Sequence, residues 1–393
     1  MSTECSQSPT DSPSSHRTLS VRGRLFSFFR KNTVLCIAAL AAAITMFIVP
    51  PDQKYAGYFD LRTLSCLFCT LAVICALKNI HFFSVLAHRI VRVAGNTRSA
   101  VLVLMVITFV GSMLIANDMA LLTFLPLGYH VLFCTGNERY LAFTFIMQDI
   151  AANLGGMLTP FGNPQNLYLY SHFAIPDGEF VSIMVLPFIL AITLIAVCCM
   201  LFVPRTPLQL KEEEASSLPR ARTLLYLLLF LLAIAIVFRA IPYGIGLAVI
   251  PAVLLFADRR ALTAVDYPLL LTFVCFFLFS GNMARIPAVR SFFSELLSHS
   301  VLIVSAFSCQ LISNVPSAIL LSQFTDNYRE LLLGVNIGGT GTLIASLASL
   351  ITFRSYLTCC PGKVRSYLLR FSAFNFSFLF ILLLFCWGVV IRL

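Results

Sequence analysis

"NLGGMLTPFGNPQNLYLY" (residues 153–170) packs three Gly, two Pro, three Asn and a Gln into one of the most apolar regions of the chain. A straight helix does not survive that composition. Pro160 and Pro164 lack a backbone donor, and Gly155, Gly156 and Gly162 let the chain unwind. At membrane depth, irregular backbone is tolerated only where it is buried in protein or lines a wet cavity. The stretch therefore reads as a broken helix. Its freed N–H groups and half-helix dipoles, with Asn153, Thr159, Asn163, Gln165 and Asn166, are suited to holding an ion or a small anion. The structural alternative is a kinked helix whose amides only bind neighbouring helices together.

The surroundings support membrane depth. Of 393 residues, 59% are hydrophobic and 11% charged, and the mean hydropathy is +0.90. No soluble domain buries so much apolar surface, so an all-α polytopic membrane protein is expected. Apolar windows long enough to span recur at 33–50, 61–77, 139–170, 180–203, 222–239, 243–257, 268–282, 330–352 and 366–391. The thirteen Cys are scattered through apolar segments without metal-ligand spacing and read as small hydrophobes. No cofactor is implied. The division expected is a disordered basic tail (1–32), a first transmembrane repeat (33–203), a linker (204–221) and a second repeat (222–393).

Charge sets the orientation. With the N-terminus cytoplasmic, the inner segments hold twenty of the 27 Lys and Arg. The net charge of +10 then faces the anionic inner leaflet and calls for no nucleic acid. A cell (inner) membrane location follows. Residues 81–93 are short, amphipathic and basic and should lie in the interface. His130 and Arg239 fall near span ends and should snorkel.

The second half repeats the first. "NLGGMLTPFGNPQNL" (153–167) aligns with "NIGGTGTLIASLASL" (336–350): Asn153 with Asn336, Gly155 with Gly338, Gly156 with Gly339, Thr159 with Thr342 and Leu167 with Leu350. Upstream, "LIANDMALL" (114–122) resembles "LISNVPSAILL" (311–321), and residues 60–80 resemble 266–286. Spans 61–77 and 268–282 run in opposite directions, so the repeats are inverted, and such proteins place their site near the midplane where the broken helices meet. Segments 99–134 and 300–324, interrupted at "ANDM" and "SNVPS", read as re-entrant hairpins entering from the cytoplasm and from outside. The tips contribute Asn117, Asp118, Ser313 and Asn314. The second broken helix adds Asn336, Thr340, Thr342 and Ser346.

At "AND" (116–118), "NLGGMLTPFGNPQN" (153–166), "SNVPSA" (313–318) and "NIGGTGT" (336–342) the sequence resembles the ion transporter superfamily. This group includes citrate and other carboxylate transporters, divalent anion–sodium symporters, arsenite permeases and a class of sodium–proton antiporters. The resemblance covers most of residues 60–390 and is more specific for fold than for substrate. The symporters' paired Ser-Asn-Thr signatures are only partly kept. "AND" looks more like the permeases and antiporters. The resemblance implies an elevator-like exchange of access.

Asp118 and Asp149 are the acids at membrane depth, and an intramembrane carboxylate is a functional candidate by default. Asp149 stands one turn before Asn153 on the same helix face. Either could hold Na⁺ or carry a proton. For Asp118 the structural alternative is a hairpin cap, and for Asp149 a structural hydrogen bond. No basic residue falls inside the inferred site. The expectation is a secondary transporter, not an enzyme, that moves a small anion with Na⁺ or H⁺. The alternatives are a Na⁺/H⁺ antiporter or an arsenite-type permease. The sequence holds no HExxH, GxSxG or GxxxxGK[ST]. The partners expected are the anionic substrate and the lipid bilayer, with a homodimer left open.

Overall fold

The computed structural model describes residues 32–91, 94–207 and 218–390. The expectations for the basic tail, apart from Asn32, and for most of the linker lie outside the described residues. The described residues are helical, with one isolated β-bridge between Asn96 and Pro207 and no named strand.

The first half contains α1 (Thr33–Ile48), α2 (Leu61–Asn79), α3 (Phe82–Val91), α4 (Thr97–Ile115), α5 (Asn117–Cys134), α6 (Leu141–Gly155), α7 (Pro164–His172) and α8 (Asp177–Phe202). Next come α9 (Arg220–Val237), α10 (Tyr243–Ala257) and the short α11 (Arg259–Thr263). The second half continues with α12 (Tyr267–Ala284), α13 (Pro287–His299), α14 (Val301–Ile312), α15 (Asn314–Leu321), α16 (Tyr328–Ile337), α17 (Leu347–Cys359) and α18 (Val364–Phe385). The kinds of element in α2–α8 recur in order in α12–α18. Both series open on an aspartate cap. Asp60 accepts from the Thr63 N–H at 2.9 Å and Asp266 from the Leu269 N–H at 3.0 Å, each filling one of the donors a helix start leaves unpaired.

Seven described helical runs are long and apolar enough to cross a membrane: 61–79, 97–115, 138–158, 177–202, 220–237, 267–284 and 364–390. Four expected spans differ from this pattern. The windows 33–50 and 243–257 become helices of 16 and 15 residues, short of the roughly 20 that fill a bilayer core. The window 330–352 is not one helix, because α16 stops at Ile337 and α17 starts at Leu347. The window 139–170 breaks in the same way between Leu158 and Pro164. Residues 99–134 do form a hairpin, but its arms have 19 and 18 residues, the length of full crossings. The second hairpin's arms have only 12 and 8. A hairpin returns the chain to its starting side at either depth, so the sidedness of the loops does not depend on this length.

The broken helices form the centre. Every residue of α6 is buried, as are Leu331 to Ile337 of α16. Helix α6 packs on α4 and α5, and the two halves exchange partners: α17 lies against α5 and α6, while α7 lies against α15 and α16. Glycines permit the closest approaches. A Cβ on Gly155 would sit 2.2 Å from the carbonyl oxygen of Phe109, and one on Gly338 would sit 2.8 Å from the Ala306 Cα. Phe109 and Ala306 each stand seven residues before a hairpin break, so one close packing is made twice. The apolar side chains of α8, α9 and α18 that remain exposed, among them Leu201, Leu224, Leu231 and Phe380, face outward, as lipid-facing residues do.

Candidate functional site

The two hairpins turn at non-glycine residues in the same strained conformation. Ala116 has φ 62° and ψ 149°, and Ser313 has φ 74° and ψ 160°. Such backbone costs about 1–3 kcal/mol and persists only where its surroundings hold it. The asparagine that follows holds each one. Asn117 Oδ1 accepts from the Asp118 N–H and Asn314 Oδ1 from the Val315 N–H, both at 2.9 Å. Each tip is then docked on a broken helix. Asn117 Nδ2 donates to Asn153 Oδ1 at 3.2 Å. The Asn314 N–H and the Ser313 hydroxyl donate to the Ala345 carbonyl at 2.9 and 3.3 Å.

The unwound segments expose carbonyls that must be paired. In the first, Asn166 Nδ2 reaches the carbonyls of Gly156, Met157 and Thr159 at 3.2–3.3 Å. In the second, Gln310 does this from the hairpin arm. Its Nε2 donates to Gly338 and Thr340 at 2.8 and 3.0 Å, and its Oε1 accepts from the Thr342 N–H at 2.8 Å. The aligned threonines act alike. Thr159 donates to the Met113 carbonyl at 2.7 Å and Thr342 to the Gln310 carbonyl at 3.1 Å, each three residues before a break. Thr340 donates to the Ile337 carbonyl at 2.7 Å. These three hydroxyls are committed to backbone.

A chain of buried amides joins the halves. Asn163 Nδ2 donates to the Asn153 carbonyl and to Asn336 Oδ1, both at 3.3 Å. Asn336 Nδ2 donates to Asn166 Oδ1 at 2.6 Å. Asn153 Nδ2 contacts Asp149 Oδ1 at 3.3 Å, and the Ser349 hydroxyl donates to Asp149 Oδ2 at 3.1 Å. Asp149 is thus a fully buried carboxylate held from both halves. Three acceptors in this region have no partner: Asp118 Oδ1, Asn163 Oδ1 and Gln165 Oε1. Among the described residues no three His, Cys, Asp or Glu side chains gather as a metal-binding cluster.

Both tips open on one cavity of about 380 Å³. Of the expected site residues, Asn117, Asp118, Gln165, Ser313, Asn314 and Ser346 line it. Asn153, Asn163, Asn166, Asn336 and Asp149 form the buried layer described above. Apolar residues of α1 and α12 make the opposite wall, with Thr272, and no lining residue is basic. The sequence reading missed Gln310, Ser349 and Thr272. Ser349 had a signal, since it aligns with Asn166 in the repeat register. The guanidinium of Arg239 donates to the carbonyls of Tyr170 and Ala174 at 2.6 and 3.1 Å and lies over the Tyr170 ring, capping the C-terminal end of α7.

Comparison with known proteins agrees with this architecture. Residues 25–328 match the family model described as "Citrate transporter". The second broken helix lies beyond the matched segment. An uncharacterized transporter of Methanocaldococcus jannaschii, MJ0456, is 30% identical over 302 residues, covering 75% of this chain and 81% of that protein. The inner membrane protein YbiR of Escherichia coli K12 is 27% identical over 321 residues, covering 79% and 84%. With its helical spans, paired hairpins and this match over most of its length, the chain is a multi-pass membrane transporter that belongs to the citrate transporter family.

Proposed function

We propose that the protein is a secondary transporter of a small anion, a carboxylate such as citrate or a dicarboxylate, or an inorganic oxyanion, moved together with Na⁺ or H⁺. The observation that carries this reading is the meeting of both hairpin tips and the amide-rich start of α7 on one cavity. Amide and hydroxyl donors with half-helix N-termini suit an anion where no basic side chain is at hand. Asp118 then requires a cation. A bare carboxylate about 4 Å from an anion costs roughly 4 kcal/mol at an effective dielectric near 20. Protonation or Na⁺ at Asp118 removes that repulsion, so anion and cation bind with positive coupling.

The matched hairpins, threonine pins and glycine contacts support two repeats of inverted topology, with the tips re-entrant. In such a frame access alternates by an elevator-like movement of hairpins and broken helices against α1, α2 and α12. The Lys and Arg distribution supports a cytoplasmic N-terminus. The name of the Escherichia coli relative supports an inner-membrane location. The family's citrate name supports a carboxylate within the anion class.

A second reading, Na⁺/H⁺ exchange or arsenite-type permeation, is favoured by the largely apolar cavity walls, by the fully buried carboxylate of Asp149 and by the unpartnered Oδ1 of Asp118. Purified protein in liposomes, offered carboxylates, oxyanions and arsenite with and without a Na⁺ or pH gradient, separates the readings. The first expects uptake of an anion that rises with the cation gradient. Cation exchange with no anion moved would replace it by the second.

A further inference from the structure

A cavity of about 490 Å³ opens beside the C-terminal end of α2, and Lys78, Asn79, His81, Met119 and Leu122 are among the residues that line it. Met119 and Leu122 also bound a narrow chamber of about 80 Å³. That chamber shares Asp118, Pro164, Leu269 and Leu347 with the main cavity. By these shared walls the chamber adjoins both the cavity at the α2 end and the main cavity at the hairpin tips. The chamber holds a few waters, and an organic polycarboxylate does not fit in it.

Its polar groups are all oxygen ligands. Asp118 stands where the chamber meets the main cavity, and its Oδ1 is buried without a partner. Thr70 of α2 lines the chamber, is 7% exposed, and its hydroxyl also lacks a partner. Asp266 lines the chamber as well and is exposed. One of its oxygens caps α12. Two carboxylates and an orphan hydroxyl around a space of this size suit a small hard cation and repel an anion. The other charged or titratable groups nearby are Lys78, His81 and Cys75 in the outer cavity and Asp258, which accepts from Asn79 at 2.9 Å.

We propose that this chamber is a cation site and passage of its own, in which Asp266, Thr70 and Asp118 pass a small monovalent cation, Na⁺ or a hydrated proton, between the hairpin tip and the α2 end without using the substrate's opening. It rests on the reading of Asp118 as the coupling group and adds a route and two ligands. Asp266 collects the cation in a solvated setting, so its contribution falls with ionic strength. Thr70 supplies a buried ligand whose effect does not.

The test is cation binding to purified protein in detergent with no anion present: radiolabelled Na⁺ at fixed pH, and proton uptake after an acid pulse without Na⁺. Wild type should respond in one of the two. Thr70→Val should weaken that binding about fivefold, the loss of one hydroxyl ligand. Asp266→Asn keeps a good helix cap and should weaken it about threefold at low salt and less at high salt. Thr70→Val also removes an unpaired buried hydroxyl. It should therefore melt no lower than wild type without cation, yet lose part of the cation-induced rise in melting temperature, which separates ligand loss from misfolding. Thr123→Val, whose hydroxyl is bonded to the Met119 carbonyl at 2.8 Å, should bind like wild type. Cation binding unchanged in both Thr70→Val and Asp266→Asn, or absent from wild type in both assays, overturns the proposal. Since no anion is present, failure of anion uptake leaves this result standing, and the two readings can fail separately.

Discussion

The tips at Ala116 and Ser313 are built on one backbone plan and differ in chemistry. Each has a strained residue, then an asparagine that accepts from the next N–H. After the asparagine, however, the first tip carries Asp118 and the second Val315. The unwound helices diverge in the same way. The first is broken by Pro160 and Pro164 and satisfied from within by Asn166. The second is broken at Gly338 to Ser346 and satisfied from the hairpin by Gln310. Shape is held in duplicate: both tips turn in the same backbone conformation and line the same cavity. Charge stands on one side only, and under the proposed function that tip is the one that holds the coupling cation.

The sharpest break of this comparison is Asp118→Asn set against Val315→Asn. Asp118→Asn keeps the side-chain shape and removes the charge. It should lower the dependence of uptake on Na⁺ or pH by about 30-fold or more, as expected when one partner of a buried charge interaction is lost, while retaining some anion binding. Val315→Asn should leave cation dependence in place. Uptake in wild type that ignores both cations, matched by Asp118→Asn, would make Asp118 a hairpin cap and nothing more.

Asn336→Ala tests the seam between the halves. It strands Asn166 Oδ1 and one donor of Asn163, and each buried group left unpaired costs about 1–3 kcal/mol. A clear drop in melting temperature in detergent is expected, larger than for Thr159→Val, whose hydroxyl serves a single partner within the first half. Equal drops would remove Asn336 from its bridging role.

The paired threonine pins predict a smaller and symmetrical effect. Thr159→Val and Thr342→Val should each cost about 1 kcal/mol and leave cation half-saturation unchanged, because both hydroxyls are bonded to hairpin carbonyls. A shifted cation dependence in either variant would return that threonine to the ligand set.

The smallest effect concerns the loop that leads into the first half. Arg285, just past α12, pairs with both oxygens of Asp52 at 2.7 and 3.0 Å and holds that carboxyl below its ordinary range. A depressed value means the contribution is present above the unfolded carboxylate range and is lost as pH falls through the folded one. The pair is solvent-exposed, so Asp52→Asn should change the melting temperature only slightly at pH 7 and not at all at a pH below both values. A large change at pH 7 would show the loop to be a real tie between α1 and α12.

Much was legible without coordinates. Apolar density located the helices, Gly and Pro located the breaks, and the repeat register paired Asn153 with Asn336 and Asn117 with Asn314. These are local matters: a residue's neighbours three and four places away follow from helix geometry, and a proline acts on its own backbone. Arm length at 99–134 was not legible, because an apolar run does not say how deep a hairpin reaches. Where each polar side chain points past a break was settled only by the tertiary structure. Thr159 and Thr342 are the right type for ligands, yet they turn to carbonyls in the hairpin arms. Asn163 meets Asn336 across 173 residues of chain, and Thr70 meets Asp118 and Asp266 around one chamber. A few irregular residues leave the orientation of the next segment undetermined, so packing between distant segments decides which hydroxyl faces backbone and which faces a cavity.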